Sequence, residues 1–239
     1  FNLGKDVRDW QVNFAKKDLQ NHYPNKGFFT KISYRPFDIK WTYYTGKSKG
    51  FHCYPRADVM QHFLKGDNVG LVLEKIMTNK NKPFNDCFIS KSIYDSHTIG
   101  SASYGFPLYL YPENNEQQII GQSTKRVPNL NSEIVKQIAE KLGLTFTNEK
   151  ETTENTFAPI DILDYIYAVL HSPTYREKYK EFLKIDFPRV PYPKDKDTFW
   201  QLVKLGGEIR QIHLLESPTV EKYITQYPKD GDNVVIKPR

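Results

Sequence analysis

Only two cysteines, Cys53 and Cys87, occur in 239 residues, with no CxxC spacing between them. That excludes a disulfide-stapled domain and a cysteine-rich zinc module. No apolar run approaches the roughly 20 residues that a membrane span needs. The chain opens at Phe1 without the basic and apolar regions of a signal peptide, so the expected compartment is the cytoplasm. The six histidines, His22, His52, His62, His97, His171 and His213, do not pair at metal-ligand spacing. Adjacent His52 and Cys53 would point to opposite faces of a strand. Signatures of catalysis are missing too. No Pro-Pro occurs, which rules out the [DNS]-P-P-[YF] grip on a flipped base. A Gly-rich cofactor loop and a P-loop are also absent. Asp38-Ile39-Lys40 supplies a DxK triplet, but no Pro-Asp precedes it at the spacing of a metal-dependent nuclease. What remains after these exclusions is a binding module.

The composition is that of a folded chain: 38% hydrophobic, 14% aromatic, with sixteen Tyr and fifteen Phe. The net charge of +6 is unevenly placed. Residues 1–126 hold 18 Lys+Arg against 11 Asp+Glu, whereas residues 127–239 hold 16 against 17. A basic excess confined to one half is expected if that half faces a polyanion, and equally of an ordinary solvated basic surface.

Hydrophobic periodicity divides the chain in the same place. Asp6–Asn21 reads as an amphipathic helix. Runs rich in β-branched and aromatic residues then predict strands at 27–34, 39–44, 68–76, 87–93 and 106–111, with a short helix at Ala57–Leu64 between them. Thr78–Pro83 and Pro112–Val127 read as loops. From residue 129 the pattern is helical. Asn131–Leu142 is stopped by Gly143, and Pro159–His171 is apolar nearly all round. Ser172-Pro173 caps a helix running to Leu183, and Thr198–Leu215 is a last helix with Gly206-Gly207 as its weak point. The expected fold class is α+β, with a mixed or antiparallel-strand N-terminal half (residues 1–126) packed on a mostly helical C-terminal half (residues 127–239).

The most specific stretch is Tyr34-Arg35-Pro36-Phe37-Asp38-Ile39-Lys40-Trp41-Thr42-Tyr43-Tyr44. It resembles the YRPFDxRxxYY signature of single-chain restriction–modification enzymes of type IIG and type ISP. Further blocks follow in the family's order: Lys49-Gly50-Phe51-His52 and Pro55-Arg56, Asn68-Val69-Gly70-Leu71, the FPLYLY run Phe106–Tyr111, Ala158–Pro173, Tyr175-Arg176 and Phe187-Pro188-Arg189. The chain departs from the family at Lys40, where Arg is usual; the charge is kept but the bidentate fork is lost. The resemblance implies a C-terminal target-recognition region, with residues 1–45 as a candidate tail of the methyltransferase core. It also implies a parent enzyme that methylates adenine N6 with S-adenosylmethionine and cleaves DNA with Mg. No cofactor is expected in this chain itself. Its implied partners are double-stranded DNA and the methyltransferase domain of the same polypeptide, with no membrane. The competing readings are a divergent methyltransferase or nuclease fragment, and an interdomain scaffold that does not touch DNA.

Candidate DNA contacts lie mainly between the patterned blocks. Lys47, Lys49 and Arg56 belong to the tip 47–56, Lys80 and Lys82 to the loop 78–83, and Lys91, Ser92, Asp95 and His97 to the stretch 90–103. This mixture suits a groove reader, because cations position the protein on phosphate while amide, hydroxyl and carboxylate groups discriminate bases. Arg56 leads, since Arg binds phosphate or guanine bidentately. Arg35 and Lys40 join the set from the signature, where Arg35 and Asp38 could equally form a structural ion pair.

Overall fold

The computed structural model describes residues 3–77, 79–100, 102–112, 126–226 and 229–232. Thr78 and most of the expected loop 112–127 therefore lie outside the described residues. The first helix, α1 (Val12–His22), starts later than its amphipathic pattern suggests. Val7 and Trp10 pair through their backbones around Arg8, whose φ is 49°. Asp6 Oδ1 then accepts from the Val12 amide at 2.8 Å, so Asp6 caps the helix from outside it. Trp10 is drawn away as well, donating from Nε1 to the Phe51 carbonyl at 2.9 Å.

β1 (Phe29–Arg35) and β2 (Asp38–Tyr43) form an antiparallel hairpin. After α2 (Ala57–Leu64), β3 (Gly70–Glu74) pairs antiparallel with both β4 (Cys87–Ser90) and β6 (Ser103–Pro107). The run 87–93, expected as one strand, breaks at Lys91. β5 (Ile93–Tyr94) leaves β4 and lies parallel to β1, giving the order β2-β1-β5. The break is made by hydroxyls. Ser90 Oγ donates to the Ser92 carbonyl at 2.9 Å and accepts from the Ser92 amide at 3.2 Å, a local alternative to the ladder. Ser33 Oγ ties both serines to β1, at 2.8 Å and 3.0 Å. The expected strand 106–111 is likewise divided, and β7 (Tyr109–Leu110) pairs with β8 (Val127–Pro128).

Every residue of β3 is buried, because both of its faces are covered. Leu71 and Leu73 join Ile89, Val135, Ile162 and Leu170 in the main core. Val72, pointing the other way, packs with Tyr44, Met60, Phe63, Ile93 and Tyr94. The sheet is thus a middle layer, with the hairpin and α2 on one side and helices on the other.

On the helical side, α3 (Ser132–Leu142) is capped by Asn131 Oδ1, which accepts from the Ile134 amide, and Gly143 closes it at φ 63°. β9 (Thr145–Phe146) and β10 (Thr156–Phe157) form a small parallel pair before α4 (Pro159–His171). Ser172 Oγ caps α5 (Pro173–Lys178). The helix expected to reach Leu183 is interrupted at Tyr179 (φ −110°, ψ 15°) and resumes as α6 (Lys180–Leu183). α7 (Lys196–His213) opens on Asp195, whose side chain accepts from the Thr198 amide at 2.7 Å.

Gly206 is not the weak point expected of it. It sits where α4 and α7 touch, and a Cβ there would lie 1.8 Å from the Asp164 carbonyl oxygen. One turn on, Arg210 locks the crossing by donating from Nε and Nη2 to Asp164 at 2.6 and 3.0 Å. The fold is α+β. Among the described residues, no helix is long and apolar enough to cross a membrane.

Candidate nucleic-acid interface

The tip that follows β2 is moored from below. Asp18 of α1 is buried, and its Oδ2 accepts from Thr45 Oγ1 and from the Phe51 amide, both at 2.8 Å. Gly50 presses on this carboxylate so closely that a Cβ would meet Oδ2 at 2.3 Å. Lys47 and Lys49 are left exposed above the anchor, Lys49 with φ 52°. The tip ends at Pro55, whose carbonyl accepts from the Tyr44 hydroxyl at 2.6 Å. Arg56 then takes a left-handed conformation (φ 52°, ψ 50°) at the N-cap of α2. Its side chain makes no capping bond, and it is exposed.

Arg56 opens onto a cleft of about 670 Å³ between the hairpin sheet, α2 and β6. His52, Tyr54, Asp95, Ser96 and Tyr104 also line it. Tyr54 and Tyr104 are 64% and 47% exposed, leaving aromatic faces open to a ligand. His52 Nε2 bonds Thr42 Oγ1 at 2.8 Å, and burial pushes its pKa down, so it is a neutral imidazole near pH 7. Arg56 makes no ion pair among the described residues, and its fork is available to an incoming acceptor. Such a cleft, with one uncommitted guanidinium, hydroxyls, a carboxylate and aromatic faces, can bind phosphate, base edges or an unstacked ring.

The other sequence-derived candidates scatter. Arg35 does not pair with Asp38. It donates from Nη1 to Asp95 Oδ1 at 3.0 Å, because β5 brings Asp95 to the end of β1, whereas Asp38 pairs with Lys40 at 3.5 Å. The Arg35 guanidinium and the Lys40 ammonium also sit against the ring of Tyr34, 4.1 and 3.8 Å from its centroid. Ser92 is spent at the β4–β5 corner. Lys91 is bound to Glu216 beyond the end of α7. His97 is exposed beside Asp95, which accepts from its amide at 2.9 Å. Lys80 and Lys82 line a different cavity, on the α5–α6 side. The cleft therefore unites Arg56 and Asp95, with Arg35 joined through Asp95.

Tyr54 and Tyr104 were not anticipated as site residues. Tyr104 has a readable signal: it stands between the small residues Ser103 and Gly105 in an alternating strand, exposed where its neighbours are half-buried. Trp41, 70% exposed, is a similar case, standing opposite Lys31 on the hairpin with the ammonium 5.7 Å from its ring.

The model of a family described as the Type ISP C-terminal specificity domain matches residues 1–239. No curated protein matches the chain. Its fold is similar to parts of three solved structures. Against the ATP-dependent Type ISP restriction–modification enzyme LlaBIII bound to DNA, the TM-score is 0.60 at 20% identity, covering 82% of this chain and 12% of that one. Against the DrdV–DNA complex the TM-score is 0.63 at 23% identity, covering 89% and 18%. A nuclease-deletion mutant of the Type ISP enzyme LlaGI, in complex with a DNA substrate mimic, gives 0.51 at 22% identity over 78% and 14%. The chain thus spans between 12% and 18% of the length of these proteins.

Proposed function

Because the chain belongs to the Type ISP C-terminal specificity domain family, we propose that it is the DNA target-recognition module of a larger restriction–modification polypeptide. The observation that carries this reading is the Arg56 cleft, an exposed guanidinium with no ion pair among the described residues, beside polar and aromatic side chains. Residues 1–126 do the reading. Residues 127–239 brace them, since Leu71, Leu73 and Ile89 of the sheet share one core with Val135, Ile162 and Leu170 of the helices. Arg35, Lys40, Lys47 and Lys49 act as positioning cations, and Arg56, with Asp95 in the same cleft and His97 beside Asp95, acts at base edges. Methylation with S-adenosylmethionine and Mg-dependent cleavage belong to domains outside this chain. The module meets those domains and duplex DNA in the cytoplasm.

Base discrimination by one bidentate contact is worth about 1–3 kcal/mol, and phosphate contacts contribute without regard to sequence. Duplex binding by the 239-residue chain should therefore be weak, nearly indifferent to sequence and strongly salt-dependent, each neutralised phosphate adding about −0.9 to the log–log slope. In the full-length polypeptide, Arg56→Ala should relax one position of the methylated motif, whereas Lys49→Ala should lower methylation at all sites alike. A slope near zero for the chain, or an unchanged motif after Arg56→Ala, would falsify this reading.

A further inference from the structure

Arg176 is a half-buried cation with one acidic neighbour in its field, Asp86. Its Nε donates to the Leu170 carbonyl at 2.6 Å and its Nη1 to Asn85 Oδ1 at 3.1 Å, and both acceptors are neutral. It forms no ion pair among the described residues. Burial lowers its pKa, so its charge is held against a desolvation penalty. Partly desolvated cations are ordinarily paired. The Leu170 carbonyl, Asn85 and the Phe84 ring, 5.7 Å from the guanidinium carbon, meet parts of this group, and the group also lines an open cavity.

The space in front of it is a cavity of about 440 Å³ at the junction of the β3–β4 loop with α5 and α6. Lys80, Lys82, Lys180 and Lys184 line it with Arg176, against one lining carboxylate, Glu177. Glu177 and Glu181 pair with Lys180 and Lys184 at 2.7 and 2.8 Å. Those carboxylates are themselves exposed, so such pairs give way readily to a stronger acceptor. Lys80 and Lys82 have no ion-pair partner among the described residues. Only a short segment divides this cavity from the Arg56 cleft: Lys184 lines one, and Phe187 lines the other.

We propose that this cavity is a second seat on the duplex, in which Arg176 takes a backbone phosphodiester while Lys80 and Lys82 close on it from the β3–β4 loop. The proposal rests on the DNA-recognition reading and extends it to the helical half, which then holds the backbone beside the base pairs that the Arg56 cleft addresses. A phosphodiester fits better than a carboxylate ligand, because the cavity offers a fork together with several flexible ammonium groups rather than one planar pair.

The test uses the 239-residue chain and mixed-sequence duplex DNA titrated between 50 and 200 mM salt. Arg176→Gln and the double variant Lys80→Ala/Lys82→Ala are compared with Arg56→Ala, with melting curves for each. Removing one phosphate contact should flatten the log–log slope by about 0.9, so that the affinity lost across this salt range shrinks by about threefold. If Arg176→Gln fails to fold, the exposed double lysine variant decides. Unchanged slopes in a parent chain that does bind DNA overturn the seat and leave the recognition reading standing. No DNA binding by the parent chain overturns both. Inorganic pyrophosphate is the second probe: saturable binding that Arg176→Gln abolishes, with DNA binding unaltered, would assign the cavity to a free phosphate ligand and refute the duplex seat.

Discussion

Adding one methyl group at Gly206 should damage the protein more than removing most side chains from its surface. In an exposed helix interior, Gly→Ala gains about 1 kcal/mol of helix propensity. At Gly206 that gain meets a Cβ 1.8 Å from the Asp164 carbonyl oxygen and 2.6 Å from its carbonyl carbon, both backbone atoms of α4. Neither can rotate away, so α4 and α7 must move apart by more than 1 Å, roughly the gap to ordinary contact. The same separation stretches the two hydrogen bonds from Arg210 to Asp164, whose side chains are only 15% and 7% exposed. Overpacking of this kind typically costs about 1–3 kcal/mol and more where backbone is involved. The net expectation is a loss of at least about 2 kcal/mol, or about 4–8 °C in Tm for a chain of this size. Gly207→Ala is the control. It has the same propensity gain, but its Cβ meets a carboxylate oxygen, Asp164 Oδ2, at 3.0 Å, and it should stay within about 1 kcal/mol of the parent. Thermal unfolding followed by circular dichroism gives both values. If Gly206→Ala melts at or above the parent temperature, the close helix crossing does not exist in solution.

Two further substitutions probe the core and the buried charge. Leu170→Ala, at a fully buried position, should cost about 2–5 kcal/mol. Ile166→Ala should cost less, because its side chain is only partly buried against the core; equal losses in chemical denaturation would contradict that ranking. Asp86→Asn should stabilise the chain near pH 7. Burial and the neighbouring Glu74 raise the Asp86 pKa to about 6, so the folded state holds a proton that the unfolded state has released, and stability falls as pH rises from about 4 to 6. His171, lowered to about 4 by burial, works in the opposite sense over that range. The difference in Tm between parent and Asp86→Asn is therefore the quantity to follow, and a difference that does not widen from pH 4 to pH 7 would refute the assignment.

What could be read in the sequence was what short-range chemistry decides. α4 begins and ends where the reading places it because Pro159 and the Ser172-Pro173 step act within one turn. Asn131 and Gly143 bracket α3 for the same reason. The strand at 87–93 was misjudged because its break depends on Ser33, 57 and 59 residues away from the serines that it bonds. Distance in sequence likewise hid the fate of the charged candidates. Lys91 meets Glu216 across 125 residues, and Arg35 meets Asp95 across 60. A lysine in a polar stretch looks the same in sequence whether its partner is solvent, a distant carboxylate or a phosphate. Arg176 shows the converse: its motif marks it as part of a helical scaffold, while its place in a cavity lined by four lysines is visible only in three dimensions.

The backbone at Arg56 gives the assignment of that residue a basis independent of family. A residue at a helix N-cap ordinarily contributes about 1 kcal/mol by accepting a hydrogen bond from the first turn, and Ser, Thr, Asp or Asn would do so. Arg cannot, and α2 has no side-chain cap. The same residue has φ 52° and ψ 50°, a conformation that costs an L-residue with a Cβ roughly 1–2 kcal/mol and that Gly adopts freely. Lys49, in the same tip, has φ 52° as well. Local stability would be better served at both places by Gly, and at Arg56 by Asn too. The tip can sustain the strain because Asp18, Trp10 and Tyr44 hold it from three sides. Strain retained at exposed positions on an anchored loop is what a pre-set binding group requires. The backbone sets where the side chain leaves the tip before a ligand arrives, so the loop itself has no order to gain on binding. An arginine whose presence opposes folding on two counts supports the proposal that Arg56 serves a ligand outside the chain.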